Sequence, residues 1–153
     1  MIQTKWLVGK PGLEAAREIR EKVFVREQFT PRGEEFDNID DYCDHLIVYD
    51  NGIPVGTGRL YVRNGEYIPS RIAVIKEARG KGIGDLIMKL LLHRGISKGA
   101  KSFRISAQRY AKGFYERYGF RQVGQMFIMS GIEHITMRCD ADKCIFPSKC
   151  CSK

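Results

Sequence analysis

The sequence predicts one α/β domain with a mixed central sheet of about seven strands flanked by helices. Three observations lead there. Short β-prone runs recur between turn residues, two long segments switch to a helical period, and the elements fall in the order β-α-β-β-β-α-β-α-β-β. A chain of 153 residues has the length of one ordinary domain, and a 43% hydrophobic composition supplies a core, which excludes wholesale disorder. Residues 1–138 are read as the folded domain and 139–153 as a cysteine-rich tail expected to be flexible.

Gln3 to Val8 reads as the opening strand, broken by Pro11-Gly12. Leu13, Ala16, Ile19, Val23 and Phe24 then recur at helical spacing, which predicts an amphipathic helix over 12–28. Phe29 to Asp41 is acidic, holds Pro31 and Gly33, and reads as a loop. His45 to Tyr49 and Pro54 to Arg63 are strands joined at Asn51-Gly52, and Asn64-Gly65 returns the chain into a strand from Tyr67 to Ile75. Ile83, Leu86, Ile87, Leu90 and Leu91 form the apolar stripe of a long helix that Gly99 stops. Ser102 to Ala107 is a strand, Ala111 to Arg117 a short helix closed by Gly119, and Phe120 to Met129 and His134 to Arg138 are strands around Ser130-Gly131.

Composition excludes several roles. No apolar run approaches the roughly 18 residues of a membrane span, and Met1 to Trp6 has no basic head before an apolar core. A cytoplasmic protein without a membrane partner is expected. Lys plus Arg is 26 and Asp plus Glu is 18, so the net charge is +8 and suits an anionic partner such as a phosphorylated cofactor. No run of basic residues or aromatic-interleaved basic stripe occurs, so a nucleic-acid partner is disfavoured. Of five cysteines, Cys43 stands alone and Cys139, Cys144, Cys150 and Cys151 crowd the tail. Their spacing lacks a C-x-x-C pair and a nearby His, so no metal site is expected. Cys43 reads as packing.

The most informative segment runs from Arg71 to Gly84, Arg-Ile-Ala-Val-Ile-Lys-Glu-Ala-Arg-Gly-Lys-Gly-Ile-Gly. A strand enters a glycine-rich turn that opens the long helix. Such a turn presents backbone N–H groups where the helix dipole favours anions, and glycine lets a phosphate approach the backbone. The spacing is not that of a nucleoside-triphosphate P-loop, nor G-x-G-x-x-G, because Asp85 stands where the third glycine belongs. It fits [QR]-x-x-G-x-[GA] through Arg79, Gly82 and Gly84. A second segment, Ala107 to Phe120, ends a strand, makes a short helix through Phe114-Tyr115, and enters the next strand at Gly119-Phe120.

Together the two segments resemble the GCN5-related N-acetyltransferase (GNAT) superfamily: the turn is similar to its acyl-CoA pyrophosphate loop, and Phe114-Tyr115 with Gly119-Phe120 to its F-Y-x-x-x-G-F segment. Val23 to Gln28, Pro31, Glu35-Phe36-Asp37, Asp44-His45-Leu46, Pro54 to Leu60 and Gly131 to His134 resemble the ElaA-like branch. The resemblance implies a GNAT fold with acetyl-CoA as co-substrate, and an acetyl group passing directly to an amine of a small molecule or peptide in a ternary complex. It assigns the CoA pyrophosphate to the main chain of Arg79, Gly80, Lys81, Gly82, Ile83 and Gly84. The pantetheine falls to backbone groups of Ile72, Ala73 and Val74, with the Val74 N–H polarising the thioester carbonyl. Tyr115 matches the tyrosine that protonates the leaving thiolate, and Tyr118 is the alternative acid. Gln108 stands where many relatives carry Asn on the cofactor; its other reading is a polar strand end.

The motifs leave the general base open. Glu35 and His134 are its first candidates, with Asp37 and His45 beside them as acids or imidazoles able to accept an amine proton. Arg59 and Arg71, on adjacent strands, would bind an acidic acceptor or form surface ion pairs. Asp37, His45, Arg59 and Arg71 are therefore the candidate acceptor contacts. Rival readings are a non-catalytic CoA-binding module, a basic nucleic-acid-binding domain and an acyl-homoserine-lactone synthase. The sequence does not fix the acceptor, nor choose between a monomer and a homodimer.

Overall fold

In the computed structural model, which describes residues 1–30 and 38–147, strands and helices follow the expected order. The strands are β1 Ile2–Val8, β2 Asp44–Asp50, β3 Ile53–Arg63, β4 Glu66–Val74, β5 Ser102–Gln108, β6 Arg121–Met129 and β7 Ile132–Asp140. The helices are α1 Glu14–Arg20, α2 Ile83–Ser97 and α3 Lys112–Glu116. The strands form one seven-stranded sheet in the order β1-β2-β3-β4-β5-β7-β6. It is mixed: β4 and β5 are parallel and pair at Tyr67–Phe103, while β5–β7 and β6–β7 are antiparallel. At Asn51-Gly52, Asn64-Gly65 and Ser130-Gly131 both residues have positive φ, the type I′ geometry whose twist matches the flanking strands. Among the described residues no helix is long and apolar enough to cross a membrane.

The chain forms two compact units, Met1–Tyr61 with Pro69–Leu91 and Val62–Ile68 with Leu92–Lys153. In the first unit, Leu13, Ala16, Ile19, Val23, Leu46 and Val48 are buried. The start of α2 lies close against β3 because β3 carries Gly56 and Gly58. A Cβ on Gly58 would meet Ile87 Cγ2 at 2.8 Å and Leu91 Cδ1 at 3.0 Å. The apolar stripe expected on α2 is rotated: Ile83, Ile87, Met88 and Leu91 are buried, whereas Leu86 and Leu90 are half-buried. Hydrophobicity alone could not separate these neighbouring apolar positions.

The helix expected over 12–28 is also corrected. α1 winds as an α-helix only through Arg20, and Glu21–Glu27 continues as a π-helix. The Gln28 N–H bonds to the Val23 carbonyl at 3.1 Å, an i→i+5 bond. Hydrophobic spacing cannot distinguish the two windings, since both leave Val23 inside.

In the second unit β7 lies between β5 and β6, in register from Ser102–Asp140 to Gln108–His134. The expected break at 138 therefore falls inside a strand. Cys139 is buried in β7, Ala141–Lys143 forms a 3₁₀ turn, and the Ile145 N–H bonds to the Tyr118 carbonyl at 2.9 Å. Phe146 stacks on His93 at 4.3 Å, and the thiols of Cys139 and Cys144 lie 3.7 Å apart. Cys150 and Cys151 are outside the described residues.

Candidate functional site

The glycine turn lies in the first unit. β4 ends at Val74, the Ile75 N–H bonds to the Val55 carbonyl at 3.0 Å, and Lys76–Ala78 makes one 3₁₀ turn. Ala73 and Ile75 are buried, which holds the end of the strand in the core. Gly80 and Gly82 have φ of +80° and +79°, a region that L side chains rarely adopt, and a Cβ on either would meet nothing within 4 Å. The turn is thus shaped by glycine yet open on its outer side. Gly84 differs: a Cβ there would sit 3.9 Å from Val74 Cγ2, an ordinary contact, so packing within the chain does not demand glycine.

Ile83 is buried and pins the start of α2 against Gly56. The Leu86 N–H bonds to the Gly82 carbonyl at 3.0 Å, so the N–H groups of Gly82, Ile83 and Gly84 precede this donor of the helix ladder. Lys81 is exposed beside them.

The Arg79 side chain is engaged in an ion pair. Its Nη1 and Nη2 donate to Glu27 Oε2 and Oε1 at 2.7 and 2.5 Å, and its Nε donates to the Val74 carbonyl at 3.0 Å. This charge-assisted pair, reinforced by Lys76, holds the Glu27 carboxyl below its usual range despite some desolvation.

Two acceptor-side candidates of this unit, His45 and Arg59, lie in its interior. Asp40 is wholly buried, and its Oδ1 accepts from Arg20 Nη1 at 2.9 Å and Arg59 Nη1 at 2.8 Å. Arg59 Nε donates to Ser70 Oγ at 2.8 Å. His45 is 1% exposed, and its Nε2 donates to the Asp40 carbonyl at 2.9 Å. Burial pushes the His45 imidazole down, only partly offset by Asp40. Desolvation raises the Asp40 carboxyl, but the two arginines together bring it below the ordinary value. His45 and Arg59 are thus spent on one buried network rather than displayed on a surface. Arg71 is half-buried in β4 with φ of 50°, a left-handed backbone in a non-glycine residue.

Asp40, Cys43 and His45 place ligand-type atoms within 4.8 Å of one another, the one such group among the described residues. Cys43 donates to the Ile39 carbonyl at 3.1 Å, and two guanidiniums already face Asp40, an electrostatic setting that opposes a cation. Glu35 and Asp37 are outside the described residues.

The second unit carries Gln108, Tyr115 and His134. Gln108 closes β5 directly opposite His134 on β7. His134 is 5% exposed; its Nδ1 faces the Ile132 carbonyl at 2.7 Å, and its ring stacks on Phe127 at 5.8 Å. A carbonyl only accepts, so Nδ1 carries the proton and the neutral ring keeps its lone pair on Nε2. Tyr115 sits on α3, edge-on to Phe114 at 5.1 Å and Phe120 at 6.3 Å. It is half-buried, and desolvation, aided by Tyr110, pushes its phenol up to about 12. Tyr118 is wholly buried and meets Phe114 at 5.3 Å, so the fallback acid is a core residue. The helical spacing of Tyr115 and Tyr118 could not reveal which ring faces inward.

Sequence reasoning missed Arg20, Asp40 and Ser70 as parts of the buried network. It quoted Glu27 within a motif without giving it a role. A buried Arg has no periodicity signal of its own, because arginine is read as a surface residue.

Known proteins resemble this chain in both sequence and fold. The model of the acetyltransferase (GNAT) domain family matches residues 13–141. The uncharacterized N-acetyltransferase YjcF of Bacillus subtilis is 39% identical over 129 residues, covering 84% of this chain and 92% of that protein. An acyl-CoA N-acyltransferase structure from Pseudomonas aeruginosa superposes with a TM-score of 0.84 at 27% identity, covering 91% of this chain and 99% of that one. Escherichia coli ElaA shares the fold with a TM-score of 0.81 at 24% identity, over 92% and 100% of the two chains.

Proposed function

Because the chain belongs to the GNAT acetyltransferase family, and so is an acyl-CoA-dependent acyltransferase, we propose that it transfers an acetyl group from acetyl-CoA to an amine by direct attack in a ternary complex. The observation that supports this is the open glycine turn at the start of α2. Gly80 and Gly82 hold left-handed φ, the N–H groups of Gly82, Ile83 and Gly84 precede the Leu86 N–H donor of the helix ladder, and Gly84 is a glycine that chain packing does not require. A diphosphate fits this cradle: it needs converging N–H donors and backbone without a Cβ in its path. Bound there, acetyl-CoA would supply an activated thioester.

The chain's residues then divide the work. Main-chain N–H groups of 80–84, with Lys81, hold the pyrophosphate. Backbone groups of Ile72, Ala73 and Val74 take the pantetheine, and the Val74 N–H polarises the carbonyl. Tyr115 gives its proton to the departing thiolate. His134 accepts the amine proton at Nε2, since its Nδ1–H is held by the Ile132 carbonyl. Gln108, paired with His134, borders the same chemistry. His45 and Arg59 support the first unit from within, and Arg71, half-buried on β4, would meet an acidic acceptor. The acceptor is a small-molecule or peptide amine.

Gly82→Asp tests the cradle by placing a side chain and a like charge where the diphosphate belongs. Calorimetry should show CoA binding lost while the thermal melt stays cooperative. Undiminished binding would remove the pyrophosphate assignment. A thiol-release screen of amines, polyamines, aminoglycosides and peptides then identifies the acceptor; CoA binding without turnover of any amine would reduce the protein to a cofactor-binding module.

A further inference from the structure

The Glu27–Arg79 pair lies on the surface, with both side chains more than a third exposed. An isolated pair of that kind contributes little to stability. Three features set this one apart. It is bidentate, which fixes the guanidinium plane as well as its position. The same guanidinium reaches a third acceptor, the Val74 carbonyl, so one side chain ties the end of β4 to the first residue of the turn and to Glu27. Finally, Glu27 is the last residue of a π-helix, a winding that is rare and concentrates at functional sites.

We infer that Glu27 is a positioning residue for the cofactor loop: by holding Arg79 it fixes the Val74 carbonyl and the start of the Gly80–Gly84 turn in the shape that receives CoA. This rests on the cofactor reading above. Arg79 consequently serves as a strut. Its guanidinium donates to Glu27 and to the Val74 carbonyl, and Lys81 is an exposed cation beside the N–H groups. Residues 74–79 form a closed loop, stapled at one end by the Ile75–Val55 backbone bond and at the other by Arg79. Without Glu27 the guanidinium loses its fixed plane, and the loop loses the contact that joins it to the π-helix.

The test compares Glu27→Gln, Glu27→Asp, Arg79→Ala and the double variant Glu27→Gln/Arg79→Ala by calorimetry with CoA and by thermal melting. Glu27→Gln should weaken CoA binding about tenfold, as expected when a binding group is displaced by a fraction of an ångström. Its melting temperature should move by about 2 °C or less, as expected for an exposed pair. Glu27→Asp, which keeps the charge, should recover part of the affinity. The double variant should bind no more weakly than Arg79→Ala alone, because both changes cut one connection. Wild-type affinity in Glu27→Gln, additive losses in the double variant, or a loss of affinity matched by a collapse in melting temperature would each overturn the inference while leaving the cofactor reading intact. An unaltered protein that binds no CoA would overturn both.

Discussion

A single hydroxyl separates the two roles open to Tyr115. Its ring packs edge-on against Phe114 and Phe120, and a Phe ring would make the same contacts. Tyr115→Phe should therefore keep the melting temperature and the CoA affinity while lowering kcat on the order of 10²-fold, the usual cost of losing a positioned acid. Wild-type kcat, on an amine whose chemical step limits turnover, would leave Tyr115 with packing alone. The raised pKa has a definite sign. A phenol at about 12 stays protonated through the neutral range, so Tyr115 produces no alkaline fall in rate below about pH 11. Because the folded value lies above the ordinary 10, the same group contributes stability that is complete below pH 10 and is lost as pH rises towards about 12.

The decisive feature among the elements is the close approach of α2 to β3. Two glycines on alternate positions of one strand, Gly56 and Gly58, remove the side chains that would hold the helix off, and Ile83, Ile87 and Leu91 occupy the space. That approach also sets the depth of the turn, since Ile83 is both a plug against Gly56 and the residue between Gly82 and Gly84. Gly58→Val should overpack this contact and destabilise the protein by about 1–3 kcal/mol, measured by urea denaturation. The displaced helix start should also weaken CoA binding. A variant with unchanged midpoint would show that α2 does not depend on the missing side chain.

Across the whole molecule, charge is divided unevenly. The first unit has thirteen basic and thirteen acidic residues and is neutral, while the second has thirteen basic and five acidic, so it holds the entire +8. The glycine turn lies in the neutral unit, and anion recognition there is a local matter of N–H groups and Lys81. Each unit also carries an arginine–carboxylate network, buried in the first and partly exposed in the second. In the first, Asp40 lies between Arg20 and Arg59. In the second, Glu66 accepts from Arg104 at 2.8 Å and Arg138 at 2.7 Å, with Ser102 at 3.1 Å, and Arg104 leads in bringing its carboxyl down to about 2. Asp40→Asn would leave two buried guanidiniums facing a neutral amide, and should cost about 3–5 kcal/mol, as broken buried pairs do. Urea denaturation measures it; a loss under 1 kcal/mol would mean that the arginines find other partners. Both carboxyls have lowered pKa values, so their stabilisation is present above the unfolded values and disappears as pH falls. For Glu66 that window runs from about 4.5 down to about 2.

The sequence by itself determined the element order, the three hairpin turns and the glycine turn before α2. Each of these is encoded locally: alternation of side chains, Asn-Gly pairs able to hold positive φ, and glycines at fixed offsets before an apolar helical stripe. Only the tertiary structure decided that helix 12–28 passes into a π-helix at Glu21, that Tyr118 is core, that β7 runs on through Cys139, and that Arg20, Asp40, His45 and Arg59 meet inside. The physical reason is distance along the chain. Arg59 finds Asp40 nineteen residues away, and Arg79 finds Glu27 fifty-two residues away. No periodicity within a strand or helix carries such a pairing, because it exists only once packing has brought the partners within hydrogen-bond reach.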